Sequence, residues 1–257
     1  MDQGVVERHR AGEASSVHPL AADRPDARLP AADGTRRPKI VLVTSPKGGC
    51  GKTTLARALL VRAAQTELRA VGLDCDRQRT LAKWFMRRPE QVRTACLRVE
   101  EMEFSAWSSR IFDLAREVDA QGRPATEVVV IDTPPSVEMA MGTIRAMIEA
   151  ADIVLIPTQP SADDLESVEP WMRSVKRINP RAAFVLSRAN KQAKSTMEAT
   201  ARLLKAGRMC PMPITDSEEV KRAHEVGCTV LDFTGGRTDV ARRFEAVFDY
   251  VAQEVGA

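Results

Sequence analysis

The 257-residue sequence has few aromatic side chains, few cysteines and no long apolar run. Only 4% of its residues are Phe, Trp or Tyr, and its five cysteines are dispersed without a C-x-x-C pair. Dispersed cysteines in a chain of this size are typical of reduced thiols and exclude a disulfide scaffold or a cysteine-based zinc site. No apolar run reaches the roughly 18–20 residues that a membrane-spanning helix requires. The charged first 38 residues do not resemble a secretory signal, so we expect a cytoplasmic protein.

The remaining composition is that of a folded protein with a short N-terminal extension. Hydrophobic residues make up 44% and charged residues 28%, which is enough for a full-sized core and excludes a wholly disordered or fibrous protein. Residues 1–38 contain four prolines and six arginines against six acidic residues, with no helical or strand period. We therefore predict a disordered tail over residues 1–38 and one folded domain over residues 39–257.

Short apolar runs alternate with segments of helical spacing along residues 39–257. This alternation favours an α/β fold, with a mostly parallel, twisted sheet and helices on both of its faces. Pro170 falls inside one helical segment, so we expect that helix to be kinked or broken there. Strands are predicted at 40–44, 70–73, 127–131, 153–156 and 183–186, with an extended piece at 210–214; helices are predicted at 53–66, 80–87, 105–119, 137–149, 162–178, 195–206, 217–225 and 239–255.

A glycine-rich segment connects the first predicted strand to the first predicted helix. Glycines allow such a backbone to curl so that successive N–H groups point at phosphate oxygens, and the helix N-terminus adds a positive dipole. In this arrangement Lys52 neutralises phosphate charge and the Thr53 hydroxyl ligates Mg²⁺. The sequence therefore predicts a P-loop NTPase that binds a nucleoside triphosphate and Mg²⁺. The nucleotide-binding candidates, which follow Ser45 and Pro46, are Lys47, Gly48, Gly49, Cys50, Gly51, Lys52, Thr53 and Thr54.

Acidic residues follow two further predicted strands. Asp74 and Asp76 come at the end of the second strand, and Asp132 comes at the end of the third. The carboxyl ends of parallel strands meet at one edge of a sheet, where ligands bind. We therefore expect these carboxylates and the P-loop to face one Mg²⁺–phosphate centre, with Asp74 and Asp132 beside the metal ion that Thr53 ligates. An ordinary turn residue at a strand end is the alternative for each carboxylate.

The loop and the acidic strand ends resemble those of the ParA/MinD family, whose phosphate loop carries the deviant Walker A pattern K-G-G-x-G-K-T-T. Here Pro46 stands where a standard P-loop has Gly, and Lys47 adds a second cation. The resemblance implies that Lys47 reaches the nucleotide of a partner subunit. It also implies that Asp132 is the Walker B acid, holding Mg²⁺ through water, and that Asp76 orients or activates the attacking water. The implied catalytic residues are Lys47, Lys52 and Asp76.

The segment Asn190-Lys191-Gln192-Ala193 bears on the choice of nucleotide. Guanine-specific P-loop proteins often carry N-K-x-D after a late strand, and this sequence has Ala193 where that Asp would stand. Because the carboxylate for the guanine edge is missing, we expect ATP rather than GTP. Arg188 and Asn190 are candidates for contacts with the base, with an ordinary surface turn as the alternative.

The resemblance extends from about residue 39 to residue 255 and is strongest for small ParA-type partition ATPases and VirC-like relatives. It implies a nucleoid-associated ATPase that forms a homodimer around ATP and then binds DNA without sequence preference. It also implies that a partner stimulates hydrolysis, either a ParB-like centromere-binding protein in plasmid or chromosome segregation or a cargo adaptor. The alternative is a MinD-like ATPase, or one that positions an organelle or protein cluster, whose cargo is not DNA.

A basic segment supports DNA binding independently of the resemblance. Residues 173–208 contain ten Lys or Arg and one Glu, a net charge of +9 in a chain whose total is +3. Such a segment can neutralise several phosphates, and the scarcity of aromatic residues argues against base stacking. A solvated basic surface is the alternative. The candidate DNA-binding residues are Lys191, Lys194, Arg202, Lys205, Lys221 and Arg222.

Three other functions fit the sequence less well. A membrane-positioned ATPase needs a basic amphipathic C-terminal helix. The apolar stripe at 239–255 has a mixed polar face instead, so we predict core packing and no membrane binding. An electron-transfer ATPase needs a bridging metal cluster, and Cys50 and Cys75 are poorly placed as ligands within the active-site segments. Asp76 argues against a scaffold that binds nucleotide without turnover.

Overall fold

The computed structural model describes residues 37–135, 141–190, 192–233 and 238–256. Most of the predicted tail therefore lies outside the described residues. The strands are β1 (Lys39–Val43), β2 (Ala70–Asp74), β3 (Leu97–Glu101), β4 (Val128–Asp132), β5 (Ile153–Thr158), β6 (Ala182–Leu186) and β7 (Arg208–Met209). The helices are α1 (Lys52–Gln65), α2 (Thr80–Met86), α3 (Trp107–Arg116), α4 (Met141–Ala150), α5 (Ala162–Ile178), α6 (Lys194–Ala206), α7 (Glu218–Glu225) and α8 (Asp239–Val255).

The strands form one sheet in the order β3-β2-β4-β1-β5-β6-β7, and each pairing between them is parallel. The central strands β2, β4 and β5 are buried along their whole length. Parallel strands that are covered on both faces need near-continuous apolar sequence, which is why these strands were visible as apolar runs. The predicted α/β fold with a parallel sheet is confirmed.

Two apolar cores lie on opposite faces of the sheet. Helices α1, α2, α7 and α8 pack on one face, and α3, α4, α5 and α6 pack on the other. The apolar stripe of α8 belongs to the first core, which confirms that the stripe serves core packing. In the ranges that the structure describes, no helix is long and apolar enough to cross a bilayer. The stripe residues of α8, each at most 7% exposed, are Val240, Phe244, Val247, Phe248, Val251 and Val255.

Besides shifts of a few residues in the bounds of other elements, three elements differ from the sequence-based prediction. β3 was not predicted because it lies at an edge of the sheet, so its charged side chains reach solvent and no apolar run marks it. The extended piece predicted at 210–214 is instead the short strand β7, two residues earlier, at the other edge. α5 is not broken by Pro170, because the helix keeps its buried face, including Leu165 and Trp171, packed in the core on both sides of the proline.

Candidate nucleotide-binding site

The phosphate loop and the acidic strand ends meet at the carboxyl edge of the sheet. Val43 at the end of β1 and Asp74 at the end of β2 both lie opposite Asp132 at the end of β4. The phosphate loop begins directly after β1. The strand order β2-β4-β1 therefore brings together residues that are up to 88 positions apart, since Asp132 follows Thr44 by that distance along the chain.

The segment between β1 and α1 curls as a phosphate-binding loop does. Gly49 and Gly51 have φ angles of +72° and +99°, a left-handed region that residues with a Cβ atom rarely adopt. Helix α1 begins at Lys52 and has no acidic residue in its first turn. The positive end of the helix dipole therefore points toward the loop without a competing carboxylate in that turn.

The two lysines of the loop have different environments. The side chain of Lys52 is buried, and its Nζ donates to the carbonyl oxygen of Lys47 at 2.9 Å. The thiol of Cys50 donates to the same oxygen at 3.3 Å. The ammonium group of Lys47 has no hydrogen-bond or ion-pair partner in the part of the chain that the structure describes. One cation is thus fixed inside the loop, and the other is left without a partner among the described residues.

Two side chains that directly follow strands β5 and β6 bond to the backbone of the phosphate loop. The hydroxyl of Ser187 lies 2.7 Å from the carbonyl oxygen of Cys50 and 3.0 Å from that of Thr158. The amide Nε2 of Gln159 donates to the carbonyl oxygen of Gly49 at 2.9 Å. Sequence reasoning missed both residues, because a serine and a glutamine after apolar strands carry no pattern of their own.

Asp132 carries a buried carboxylate at the centre of the site. The residue is 1% exposed, and neither carboxylate oxygen has a hydrogen-bond partner of normal geometry among the described residues. Burial raises the pKa of Asp132 to about 7. The neighbouring Thr53 hydroxyl and Lys52 lower this pKa, whereas Asp74 and Asp76 raise it. A buried carboxylate is costly until a cation or a donor joins it, so the site fits a hydrated Mg²⁺ held between Thr53 and Asp132.

Asp74 and Asp76 have different environments although they are two residues apart. The buried carboxylate of Asp74 accepts the backbone N–H of Asp76 at 3.1 Å and that of Ala82 at 2.9 Å, one on each oxygen. Asp76 is partly exposed and accepts the backbone N–H of Gln78 at 3.0 Å. In the structure Asp74 fixes the loop that carries Asp76, and its role beside a metal ion stays a prediction.

A pocket of about 160 Å³ opens beside the phosphate loop, at the carboxyl ends of β5 and β6. Arg188 lines this pocket, and its contact with a base stays a prediction. Asn190 does not line it, and its side-chain oxygen accepts the backbone N–H of Gln192. Sequence reasoning missed the wall formed by residues 214–224, which has no recognisable motif. The lining includes Gly51, Thr54, Thr215, Asp216, Ser217, Val220, Lys221 and His224.

The predicted DNA-binding residues are divided between two helices. α6 and α7 belong to the cores on opposite faces of the sheet, so their exposed bases form two patches. Lys221 on α7 also lines the pocket beside the phosphate loop. Of the six candidates, Lys194, Arg202 and Lys205 lie on α6, Lys221 and Arg222 lie on α7, and Lys191 falls outside the described residues.

Acidic neighbours balance part of this basic surface. Lys205 and Arg222 are exposed and have no ion-pair partner among the residues described. The last turn of α5 adds Lys176 and Arg177 beside α6. Arg202 pairs with Glu169 and Arg208 pairs with Glu254, two acids outside residues 173–208, so the net charge of +9 counted along the sequence overstates the local charge of the folded surface. Lys194 pairs with Glu198 at 3.4 Å, and Lys221 pairs with Glu218 at 2.5 Å.

The cysteines near the site are buried thiols. All five cysteines are free, and Cys50 and Cys75 are buried. Burial raises the pKa of Cys75 to about 12, and the charges of Asp132 and Asp74 act in the same direction. Across the described ranges, no group of three or more His, Cys, Asp or Glu side chains is arranged to hold a metal ion without further ligands.

Residues 41–230 match the family described as the CobQ/CobB/MinD/ParA nucleotide binding domain. The chain is 30% identical over 225 residues to the maintenance of carboxysome distribution protein A of Gloeobacter kilaueensis, covering 85% of this chain and 94% of that protein. It is 34% identical over 127 residues to protein ParA of Rhizobium radiobacter, covering 49% and 50% of the two. The fold is shared with an ATP complex of a Cyanothece McdA variant, with a TM-score of 0.62, 18% identity, and coverage of 86% and 97%.

Proposed function

This chain belongs to the CobQ/CobB/MinD/ParA family of nucleotide-binding domains, and on that premise we propose that it is a positioning ATPase that works as a DNA-bound dimer. Its membership of the ParA/MinD group makes it an ATPase. In the proposed cycle, ATP binding closes a homodimer, and the dimer binds DNA without sequence preference. A partner protein attached to the cargo then stimulates hydrolysis, which releases the dimer from DNA.

The proposed chemistry uses the residues at the carboxyl edge of the sheet. Lys52 and the backbone N–H groups of the loop bind the phosphates. Thr53 and Asp132 would hold Mg²⁺, which would supply charge neutralisation at the transferred phosphoryl group. Asp76 lies at the accessible rim of the site, where a carboxylate can orient the attacking water. The chain's own contribution is thus positioning and charge stabilisation.

The observation that best supports the proposed homodimer is the unpartnered ammonium group of Lys47. It stands at the start of the phosphate loop, yet no described residue pairs with it. The neighbouring Lys52 already occupies the inside of the loop and bonds to the Lys47 carbonyl. A second cation that extends from the loop is well suited to phosphates bound by another copy of this chain, as the resemblance to the ParA/MinD family implies for this position.

The surface of α6 and α7 supports the proposed DNA binding. Lys205 and Arg222 are exposed bases without ion-pair partners among the described residues, and Lys176 and Arg177 extend the patch on α6. Contacts of this kind neutralise phosphates and carry no base specificity, which fits a protein that must hold DNA anywhere along its length.

The relatives give two candidates for the cargo. One curated relative is named for maintaining carboxysome distribution and matches 85% of this chain, whereas the relative named ParA matches about half of it. We therefore propose a protein-built assembly, recognised through a cargo adaptor, as the first candidate. A plasmid or chromosome recognised through a ParB-like centromere-binding protein is the second.

The test of the DNA-bound dimer is binding to random-sequence DNA without nucleotide, with ADP and with ATP, each at two salt concentrations. We expect ATP to raise the affinity at least about tenfold and the higher salt to weaken it steeply, because phosphate contacts release counterions. Equal binding in all three nucleotide states would contradict the switch. Binding that does not respond to salt would contradict the electrostatic interface.

A matched pair of double variants locates the DNA surface. Lys205→Glu with Arg222→Glu should abolish DNA retention while ATP-dependent dimerisation, measured by light scattering, persists. Arg116→Glu with Arg242→Glu makes the same change of charge on exposed residues of α3 and α8 and should leave retention intact. Equal loss in both double variants would show only a dependence on net charge.

Deletion of the gene distinguishes the two cargoes. If the cargo is a protein assembly, fluorescently marked assemblies should collapse into one or a few clusters while replicons are inherited normally. If the cargo is a replicon, marked plasmids or chromosomal loci should be lost or mispositioned while protein assemblies keep their spacing. Normal inheritance together with normal spacing would contradict both candidates.

A further inference from the structure

A buried arginine joins the phosphate-loop helix to the segment that carries Asp76. Arg57 lies on α1, one helical turn after Thr53, and is only 6% exposed. Its Nη2 donates to the carbonyl oxygen of Thr80 at 2.9 Å. Burial lowers the pKa of Arg57 to about 10, so the guanidinium stays charged at neutral pH. A charge kept inside a core is costly, and it is tolerated where fixed partners compensate for the lost water.

The contact with Thr80 matters because of what precedes it. Thr80 is the first residue of α2, and the loop from Asp76 to Arg79 runs directly into it. The backbone N–H of Arg79 bonds to the carbonyl oxygen of Asp76 at 2.8 Å, and Arg79 has a φ of +54°. In so short and constrained a loop, a shift at the start of α2 moves Asp76 with it.

Asp74 anchors the same loop from the side of the sheet. Its carboxylate accepts the N–H of Asp76 at the start of the loop and the N–H of Ala82 after it. Arg57 supplies the corresponding anchor from α1, the helix whose N-terminus forms the phosphate site. The Asp76 segment is therefore fixed relative to β2 by one residue and relative to the phosphate loop by the other.

An aromatic ring also contacts Arg57. The guanidinium of Arg57 lies 5.5 Å from the ring centre of Trp84, a fully buried residue of α2. The guanidinium of Arg88 lies 4.9 Å from the same ring centre. The indole N–H of Trp84 donates to the carbonyl oxygen of Cys228 at 3.1 Å, and Arg88 bonds to Asp232 at 2.6 Å. α2 is thus held along its length, and Arg57 binds the end that faces the site.

We propose that Arg57 is a positioning residue for ATP hydrolysis, which joins α1 to the first turn of α2 and so keeps Asp76 at a fixed place relative to the phosphates. This inference rests on the role given to Asp76 in the proposed function. A displacement of about 1 Å in a reacting constellation costs on the order of 100-fold in rate. Binding of ATP depends on the loop itself and is affected much less.

The test is single-turnover hydrolysis with protein in excess over ATP, together with the Kd for a fluorescent ATP analogue. We expect Arg57→Met to slow hydrolysis at least about tenfold while the Kd changes by less than about threefold. Arg57→Lys should recover part of the rate, because an ammonium can donate to the Thr80 carbonyl but cannot form the planar contact with the ring. Arg62→Met removes a second arginine of α1, which pairs with Glu245, and should leave both quantities unchanged.

Two further measurements separate positioning from stability. With Trp107 and Trp171 replaced by Phe, Trp84 is the remaining tryptophan, and Arg57→Met should shift its emission in the folded, ATP-binding protein. Normal hydrolysis in Arg57→Met, or a rate loss that equals the loss of ATP-binding protein, would overturn the proposal. Should Arg57→Met fail to fold, Arg57→Lys decides: a wild-type rate together with wild-type emission would overturn it.

The same measurements on Asp76→Asn distinguish failure of the Asp76 role from failure of the Arg57 role. Slow hydrolysis in Asp76→Asn with normal hydrolysis in Arg57→Met would remove Arg57 alone. Normal hydrolysis in Asp76→Asn would overturn the role of Asp76 and the positioning role of Arg57 with it. Slow hydrolysis in both variants, with the Kd retained, is the expected outcome.

Discussion

The side-chain nitrogen of Lys52 lies 2.9 Å from the carbonyl oxygen of Lys47, so a hydrogen bond connects the two ends of the phosphate loop. This bond keeps the loop curled and places a cation where phosphate oxygens bind. The two lysines therefore differ: the ammonium of Lys52 has a partner within the loop, whereas that of Lys47 has none in the described part of the chain.

The first prediction follows from that difference. Lys52→Met should weaken ATP binding at least about 100-fold, because it removes both the bond across the loop and the buried positive charge opposite the phosphates. Lys47→Met should bind ATP within about threefold of wild type but fail to form the ATP-dependent dimer. Fluorescent nucleotide titration measures the first property, and light scattering measures the second. An ATP-bound dimer that forms normally with Lys47→Met would contradict the assignment.

The second prediction concerns Asp76, whose carboxylate is at the accessible rim of the site. Asp76→Ala should bind ATP, dimerise and remain on DNA, because the steps before hydrolysis do not use this carboxylate. Its release from DNA after ATP is diluted should be slowed at least about tenfold relative to wild type. Surface plasmon resonance on immobilised DNA measures the release. Release at the wild-type rate would remove Asp76 from the mechanism.

The third prediction concerns Ser187, which bonds to the carbonyl oxygens of Cys50 and Thr158. Ser187→Ala should cost about 1 kcal/mol of folding free energy, the usual worth of a buried hydrogen bond, and should weaken ATP binding several-fold because the loop loses a support. Ser174→Ala is the matched control, since that hydroxyl donates to the Pro170 carbonyl within α5. Equal effects of the two changes on ATP affinity would contradict a role in the site.

Local features of the chain were predictable because they depend on near neighbours in sequence. The glycine spacing indicated where the backbone would turn back on itself, and Gly49 and Gly51 do have positive φ angles. The bounds of α5 and α8 agree with the prediction, since an unbroken apolar stripe marks a helix that lies on a core. The positions of the acidic residues at the strand ends were predictable too, because each directly follows an apolar run that predicts a buried strand.

The parts that were missed depend on contacts between distant segments. Ser187 is 137 residues from the carbonyl it supports, and only the position of β6 in the sheet brings it there. In the sequence Arg57 is indistinguishable from an exposed polar residue of a helix, and only the folded structure places its guanidinium against the ring of Trp84. The DNA-binding candidates were predicted to form one surface, whereas the bases of α6 and α7 lie on opposite faces of the sheet.

The fourth prediction concerns the ion pair between Arg88 and Asp232, whose side chains are 2% and 5% exposed. Asp232→Asn should lower the free energy of unfolding by about 3–5 kcal/mol, because it leaves a buried guanidinium without its counter-charge. Glu198→Gln breaks the exposed pair with Lys194 and should change stability by no measurable amount. Urea unfolding measures both. A small effect of Asp232→Asn would mean that Trp84 and the Val92 carbonyl suffice to hold Arg88.

The fifth prediction is a pH dependence from His224, which lines the pocket beside the phosphate loop. Burial, reinforced by Arg57, lowers the pKa of His224 to about 4 from an ordinary 6.5. Between these values the unfolded chain binds more protons than the folded one, so the free energy of unfolding falls as the pH drops from 6.5 towards 4. His224→Gln should remove that part of the slope in urea unfolding followed between pH 7 and 4.5. Because carboxylates titrate alike in both proteins, an identical slope for the variant would show that His224 is accessible to protons in the folded state.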